Sequence, residues 1–178
     1  ISLSSLTIDE NSVVGTEVGT LTSTDVDSGD THSYTLVSGT GDTDNGSFTI
    51  TNDKLKSGVV FDFETKSSYS IRVQTDDGNG GTYSKLLTIT VNDVNESPTE
   101  ISLSSLTIDE NSVVGTEVGT LTSTDADTGD THTYTLVSGT GDTDNGSFTI
   151  SSDKLITGEV FDFETKSSYS IRVQTDDG

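Results

Sequence analysis

The sequence predicts an all-β protein built from two tandem β-sandwich repeats, and three observations support this prediction. The opening segment ISLSSLTIDEN returns at residue 101, so the chain of 178 residues repeats with a period of 100. Apolar residues alternate with polar ones in short runs such as 69–73 and 87–91, which is the period of a half-buried strand. Turn residues recur about every 8–12 positions, the spacing of a sandwich or barrel.

Seven strands are predicted in the first repeat, separated by turns rich in Gly, Asp, Asn and Ser. They lie near residues 2–8, 16–22, 32–38, 47–51, 54–57, 68–75 and 82–92. Seven strands in about 100 residues are typical of an immunoglobulin-like Greek-key sandwich. The second copy is expected to fold in the same way, because it differs from the first only at positions 26, 28, 33, 51, 52, 56, 57 and 59.

Each copy is expected to be a domain with its own core, because its period is longer than the roughly 20–50 residues of a solenoid unit. The first domain is placed at residues 1–98, with a linker at 93–99, and the second at 99–178. The second copy has no counterpart of the strand predicted at 82–92. Tyr169, Ile171 and Val173 are therefore expected on a strand with an unpaired edge. The sequence is interpreted as a fragment of a longer chain, in which the second domain is strained or completed by another molecule.

The charge of the chain excludes several classes of partner. It carries 30 acidic and 8 basic residues, a formal net charge of −22, which repels nucleic acid and anionic lipid and favours bound cations. Intrinsic disorder is disfavoured by the regular alternation of apolar residues. No apolar run reaches the ~18–20 residues that span a bilayer, and the strand-like start is unlike a signal peptide, so export is expected to be encoded elsewhere.

Acidic motifs fall in the loops between the predicted strands. If the strands alternate in direction, the motifs at 8–11, 60–64 and 93–97 lie at one end of the first domain, and those at 23–27 and 75–78 lie at the other end. Joining the repeats head to tail would bring the end of copy one that carries 8–11, 60–64 and 93–97 next to the end of copy two that carries the counterparts of 23–27 and 75–78. The residues expected to converge there are Glu10, Asp62, Glu64, Asp93, Asn95, Glu96, Asp125, Asp127 and Asp177.

This set of oxygen ligands favours a bound calcium ion. Carboxylates held together without a partner repel one another, and a hard cation relieves the repulsion. Calcium accepts six to eight oxygen ligands in flexible geometry, whereas magnesium demands a small octahedron. Zinc is disfavoured because the chain has no cysteine, and because His32 and His132 are single histidines expected in strands rather than a paired ligand set.

The acidic motifs resemble the calcium-binding signatures of cadherin repeats. IDEN is similar to the glutamate motif of the first loop in that family, FDFE to its Asp-Arg-Glu motif, TDVD and TDAD to its Asp-x-Asp motif, QTDD to its Ala-x-Asp motif, and DVNESP to its interdomain linker. The resemblance implies calcium between successive domains, with side-chain ligands from Glu10, Asp62, Glu64, Glu96, Asp125, Asp127 and Asp177. It also implies that Asn95 and the backbone near Asp93 and Ser97 complete the shell.

Three positions depart from the family pattern. Phe63 replaces the usual arginine, Glu96 stands for aspartate, and the linker is one residue shorter before Pro98. The sequence therefore leaves open whether fewer calcium ions bind than is usual in the family. The loops at 42–46 and 142–146 fit either a turn or a second calcium loop, and Asp30 and Asp130 are interpreted as turn formers.

With these departures, the chain looks most like the cadherin-like repeats of large exported bacterial surface proteins. That resemblance implies an extracellular or cell-surface spacer, stiffened by calcium, in an adhesin of cell adhesion or biofilm attachment, with neighbouring repeats as partners. The alternative is a calcium-dependent module that binds polysaccharide or another cadherin-like repeat. Catalysis is not expected, because the sequence shows no nucleophile–base spacing and no phosphate-binding glycine loop.

Overall fold

A computed structural model of the chain describes residues 1–27 and 29–178. It separates into two compact units, unit 1 from Ile1 to Val94 and unit 2 from Asn95 to Gly178. Position 28, one of those that differ between the two copies, lies outside the described residues.

Unit 1 is a sandwich of two four-stranded sheets. Its strands are β1 (Ser2–Leu3), β2 (Thr7–Asp9), β3 (Glu17–Thr22), β4 (Ser33–Leu36), β5 (Phe48–Thr51), β6 (Lys54–Ser57), β7 (Ser68–Asp76) and β8 (Thr82–Asn92). The strand orders are β1-β3-β6-β5 and β2-β8-β7-β4. Neighbouring strands are antiparallel except β2 and β8, which run parallel. The predicted all-β sandwich is confirmed.

The first strand differs from its prediction. A single strand was expected near residues 2–8, but the structure splits it into β1, which pairs with β3, and β2, which pairs with β8 in the other sheet. Gly19 explains where the switch occurs, because a Cβ at this position would lie 2.9 Å from both the Ser4 hydroxyl and the Ser5 amide. The chain therefore crosses close to β3 at Ser4 and Ser5 and then leaves for the second sheet.

The core of unit 1 lies between its two sheets and contains a cluster of aromatic rings. Phe61 is fully buried, with its ring centroid 5.3 Å from that of Phe48 and 4.7 Å from that of Tyr69. Ile71 and Val73 of β7 are also fully buried, whereas Arg72 between them is not. The predicted alternation of apolar and polar residues thus places one face of β7 in the core.

Unit 2 repeats the first sheet and part of the second. Its strands are β9 (Glu100–Leu103), β10 (Glu117–Thr124), β11 (Thr133–Leu136), β12 (Phe148–Ser151), β13 (Lys154–Thr157) and β14 (Val173–Asp176). They form a four-stranded sheet of order β12-β13-β10-β9 and a two-stranded sheet of β11 and β14.

The prediction that Tyr169, Ile171 and Val173 share a strand is wrong for the first two. Only Val173 lies in β14, whereas the counterpart strand β7 already begins at Ser68. Within unit 1, β7 pairs with β8 over its whole length. Among the described residues of unit 2 no strand takes that position beside β14, so the ladder hydrogen bonds that would hold residues 168–172 extended have no counterpart there.

Helical structure in the described part of the chain consists of two short 3₁₀ turns, Asn45–Ser47 and Asn145–Ser147. Within these residues no helix has the length and apolar character needed to cross a membrane.

Replacing Phe61 with alanine should lower the free energy of unfolding of unit 1 by about 3–5 kcal/mol, because it leaves a cavity between Phe48 and Tyr69. Peptide-resolved hydrogen exchange on the full chain measures the loss of stability separately in unit 1 and in unit 2. The control is Phe163→Ala, since Phe163 is 62% exposed and its loss should cost less than about 0.5 kcal/mol. Equal losses in the two variants would contradict the placement of Phe61 in the core.

Candidate metal-binding residues

Two loops of unit 1 bring Glu10, Asp62 and Glu64 together. One carboxylate oxygen of each lies within 4.8 Å of the others, and we name this group the Glu10 cluster. Glu10 follows β2, while Asp62 and Glu64 lie between β6 and β7. The structure thus assembles three of the predicted ligands from positions more than fifty residues apart in sequence.

Hydrogen bonds to backbone amides hold Glu10 in place. Its carboxylate accepts the N–H of Phe63 at 2.7 Å and the N–H of Val94 at 2.9 Å, and the residue is only 3% exposed. Its own N–H donates to Asn92 at the end of β8. These bonds offset the cost of burying a charge, and they connect the loop after β2 to the segment in which Asp93 lies.

The other predicted ligands belong to unit 2, where residues 95 and 96 bond to two loops. The side-chain amide of Asn95 donates to Asp177 at 3.2 Å, and the N–H of Glu96 donates to Asp127 at 2.6 Å. The N–H of Asp127 in turn donates to Asp125 at 3.4 Å. We name these five residues the Asn95 group. They gather the start of unit 2, the loop after β10 and the loop after β14.

The histidines are placed differently from their prediction. Both were expected within strands, but His32 and His132 lie directly before β4 and β11. The ring Nε2 of His132 is 3.0 Å from an Asp125 oxygen, and that of His32 is 3.3 Å from an Asp25 oxygen. His132 therefore orients Asp125, a predicted ligand, and His32 orients Asp25, the equivalent residue of the first copy. The isolated position of each histidine in the sequence did not indicate this role.

Two further acidic clusters repeat the pattern at other places. Oxygens of Asp25, Asp27 and Asp30 lie within 4.8 Å of one another in unit 1. Asp30 was interpreted as a turn former, and the structure places it in this cluster. The backbone N–H of Asp27, followed by the His32 ring, lowers the pKa of Asp25.

The third cluster consists of Glu110, Asp162 and Glu164 in unit 2, again with oxygens within 4.8 Å of one another. Glu110 accepts the N–H of Phe163 at 3.1 Å, as Glu10 does from Phe63, but it is exposed where Glu10 is buried.

The loop at 42–46 is a structural turn. Asp42 accepts the N–H of Gly39 at 3.0 Å, and Asp44 accepts the N–H of Ser70 at 2.8 Å and pairs with Lys66. The side chain of Asn45 bonds to the backbone on both sides, at Val37 and at Arg72. The oxygens that a second calcium loop would need therefore already bond within unit 1, and the structure favours the turn.

A comparison with protein families matches the cadherin domain over residues 4–92 and again over residues 104–178. The chain belongs to the cadherin family. Cadherins are cell-adhesion proteins whose tandem repeats typically bind calcium, and membership of this family confirms the prediction that the chain is not an enzyme.

The similar characterised proteins include animal cadherins. The chain is 30% identical to cadherin-8 of Rattus norvegicus over 190 residues, which cover 94% of this chain and 23% of cadherin-8. It is 32% identical to human protocadherin Fat 4 over 184 residues, which cover 97% of this chain and 4% of that protein. The chain thus spans only a small part of the length of these relatives.

Solved cadherin structures share the fold. The crystal structure of human protocadherin-24 EC1-2 matches with a TM-score of 0.75 at 20% identity, covering 97% of this chain and 82% of that one. The protocadherin PcdhgB3 EC1-4 matches with a TM-score of 0.71 at 24% identity, covering 99% of this chain and 45% of that one. The predicted tandem of cadherin-like sandwiches is therefore confirmed.

The residues of the cadherin repeats fit calcium by the chemistry of their donors. The Glu10 cluster and the Asn95 group offer carboxylate and amide oxygens, which are hard ligands that calcium prefers. The chain contains no cysteine, so a thiolate site for a softer metal is excluded.

Replacing Asp44 with asparagine tests the structural role of its loop through pH. Burial raises the pKa of Asp44, but the hydrogen bonds from Lys66 and from the Ser70 N–H outweigh it, so the pKa is lowered from 3.8. A lowered pKa contributes stability that is present above pH 3.8 and is lost as the pH falls through the lowered value. Asp44→Asn should therefore be less stable than wild type at pH 7 and should lose less stability on acidification.

Thermal melting of both proteins between about pH 2 and 7 measures this difference, since the aspartate titrates within that range. Calcium titration of Asp44→Asn is the accompanying control, and it should match wild type. A variant with normal stability and weakened calcium binding would instead restore the hypothesis of a second calcium loop.

Proposed function

We propose that this segment is a calcium-rigidified structural extender of a large bacterial surface adhesin, acting outside the cell in adhesion or biofilm attachment. The observation that carries the proposal is the pair of hydrogen bonds on either side of one peptide bond. The N–H of Val94 donates to Glu10 in unit 1, and the side chain of Asn95 donates to Asp177 in unit 2. The Glu10 cluster and the Asn95 group are thus linked to consecutive residues of the chain.

Calcium is the partner that this arrangement needs. The net charge of −22 makes each acidic cluster repel itself, and a divalent cation converts that repulsion into attraction. The proposed ligands are those that the resemblance implies, with Asp93 and Asn95 contributing to the shell. They are Glu10, Asp62, Glu64, Asp93, Asn95, Glu96, Asp125, Asp127 and Asp177.

Ion binding would stiffen the linker by holding its residues from both directions. Val94 is bonded to Glu10, while Glu96 is bonded to Asp127. Shared ligation by residues on both sides of Asn95 would reduce the torsional freedom of the linker. Pro98 adds to this effect because it restricts Ser97 to extended conformations.

The spacer role is favoured over a recognition role by the near-identity of the two copies. A spacer requires length, whereas recognition sites usually diverge. The domain limits proposed for the two repeats are 1–98 and 99–178, so that the linker at 93–99 joins them. The proposed partners are neighbouring repeats of the same chain and, in adhesion, other cadherin-like repeats.

A calcium-dependent polysaccharide-binding module is the second candidate, and one observation favours it. Tyr83 is 60% exposed and lines a cavity of unit 1 with Asp25, His32 and Asp77. An exposed aromatic ring beside carboxylates is a combination that suits a sugar ring.

Removing one proposed ligand should weaken the stabilisation that calcium provides. Glu64→Ala and Asp125→Ala are each expected to lower calcium affinity about tenfold, which removes about 0.4–1 kcal/mol of linkage stabilisation at about 1 mM calcium. The melting temperature of the affected domain in calcium should then fall by about 2–8 °C relative to wild type. Wild-type affinity is expected near 0.1–1 mM, the range of extracellular modules.

Calorimetric scans in millimolar calcium and in excess chelator measure these changes. The control is Asp153→Asn, which removes the same charge at an exposed turn outside the acidic clusters. Equal melting of wild type, Glu64→Ala and Asp125→Ala in calcium would refute the ligand assignment.

Small-angle X-ray scattering tests the rigidity of the linker. The maximum dimension of the wild-type chain should be sharply defined in millimolar calcium and broadened in chelator, because flexible linkers sample many end-to-end distances. A profile that does not respond to calcium would contradict the extender, and the polysaccharide-binding candidate would then be favoured.

A further inference from the structure

We propose that Asn79 is a site of slow self-modification, at which the side-chain amide is converted to a carboxylate without an enzyme. Asn79 is followed by Gly80 in the loop between β7 and β8. Three features of this loop support the proposal. They are a glycine after the asparagine, a side-chain amide that no contact holds, and a glycine N–H that is free to react. The proposal does not depend on the calcium function proposed above.

The reaction joins the side chain of Asn79 to the backbone nitrogen of Gly80. This nitrogen attacks the side-chain carbonyl carbon, so a new nitrogen–carbon bond forms and the bond to the side-chain nitrogen breaks. The side-chain nitrogen leaves as ammonia and takes the proton of the Gly80 N–H, and a cyclic imide remains. Water then opens the ring at one of its two carbonyls and gives aspartate or isoaspartate. Because both reacting groups belong to adjacent residues, the attack is intramolecular and needs no other reactant than water.

The chain contains three Asn-Gly pairs, at 45–46, 79–80 and 145–146. Glycine hinders the attack of its nitrogen least, because it has no side chain and the widest backbone freedom. The sequence alone would therefore assign similar reactivity to all three pairs. The structure separates them, since the pairs at 45–46 and 145–146 are held by hydrogen bonds and the pair at 79–80 is not.

Hydrogen bonds to both ends of the side-chain amide hold Asn45 in place. Its side-chain nitrogen donates to the carbonyl of Val37 at 3.0 Å, and its side-chain oxygen accepts the N–H of Arg72 at 2.9 Å. Asn145 forms the equivalent two bonds in unit 2, also at 3.0 and 2.9 Å. Both asparagines begin 3₁₀ turns. Turning either side chain toward the next backbone nitrogen would break two hydrogen bonds, so the fold protects these two residues.

The two reacting groups at 79–80 are exposed and unbonded. Within the part of the chain that the structure describes, neither the side chain of Asn79 nor the N–H of Gly80 has a hydrogen-bond partner. The N–H groups on either side are held instead, because Asp77 accepts that of Asn79 at 2.7 Å and that of Gly81 at 2.9 Å. Asp77 thus maintains the loop while the nitrogen of Gly80 stays available for attack.

The shape of the loop also requires glycine at position 80. Gly80 has a φ of +102°, in the left-handed region that residues with a side chain rarely adopt. A Cβ built at this position would meet no heavy atom within 4 Å, so nothing crowds the backbone on that side. The connection from β7 to β8 therefore depends on the same residue type that makes Asn79 reactive.

Either product changes the loop between β7 and β8. Both place a new negative charge close in sequence to Asp77, in a chain whose net charge is already −22. Isoaspartate also routes the backbone through the former side chain, which lengthens the main chain by a methylene group. The N–H groups that Asp77 holds would then lie farther apart, and its two hydrogen bonds could not both keep their present geometry. The modification therefore alters an acidic loop whose counterpart in unit 2 carries Asp177.

Peptide mapping by mass spectrometry tests the proposal on the whole 178-residue chain, incubated in mildly alkaline buffer. In the folded chain, conversion at Asn79 should be at least about tenfold faster than at Asn45 and Asn145, because each of these must first break two hydrogen bonds. Enzymatic methylation of isoaspartate should label the peptide that contains Asn79 and not the other two. In denaturant the three pairs should react at similar rates, since the contacts that protect two of them are lost.

The matched control is Asn79→Gln, which keeps a side-chain amide but moves its carbonyl carbon a methylene group farther from the nitrogen of Gly80. This variant should stay unmodified at position 79, and its conversion at Asn45 and Asn145 should match wild type. Conversion at Asn79 no faster than at the other two pairs in the folded chain would overturn the proposal. The same ratio of rates in the folded chain and in denaturant, or equal conversion of Asn79→Gln and wild type at position 79, would also overturn it.

Discussion

The buried carboxylate of Glu10 is the constraint on which the acidic end of unit 1 depends. It accepts hydrogen bonds from Phe63 and Val94, and so holds the loop after β2, the loop before β7 and the segment after β8 in one place. A neutral side chain at position 10 would form weaker hydrogen bonds to these two amides, because charge-assisted bonds need the carboxylate. A carboxylate that faced solvent would not hold the loops together. Asp62 and Glu64 are brought close to Glu10 as a result, and this closeness is the basis of the proposed calcium function. The hydrogen bonds of Glu10 thus both stabilise this end of unit 1 and bring its carboxylates together.

The acidic clusters differ in the support that the fold gives them. The side chain of Asn95 donates to Asp177, the backbone N–H of Glu96 donates to Asp127, and His132 bonds to Asp125. The three aspartate side chains therefore have a defined orientation within unit 2. Asp44 shows the opposite use of a carboxylate, since it pairs with Lys66 and fixes a turn. Carboxylates therefore either gather in an acidic cluster or anchor a turn, according to the cations and amides that the fold places beside them.

The two copies show how one strand changes the environment of an unchanged sequence. Ile71 is fully buried beside β8, while the identical Ile171 is half-buried. The extent of the strand also differs between the copies, because β7 begins at Ser68 whereas its counterpart β14 begins only at Val173. Central strands of a sandwich supply both ladder hydrogen bonds and apolar cover, so their neighbours depend on them for extension as well as for burial.

The sequence by itself determined the fold class, the repeat, most strand positions and the family, because alternation, turn residues and spaced acidic motifs are local properties of the chain. Six of the seven strands predicted in the first repeat lie within two residues of those observed. Only the tertiary structure decided that the first strand divides between two sheets near Ser4 and Ser5, where it crosses Gly19. It also decided that His32 and His132 orient aspartates, and that Asp44 is held by Lys66. These features arise from contacts between residues far apart in the chain, and no local pattern records which distant partner a side chain will meet.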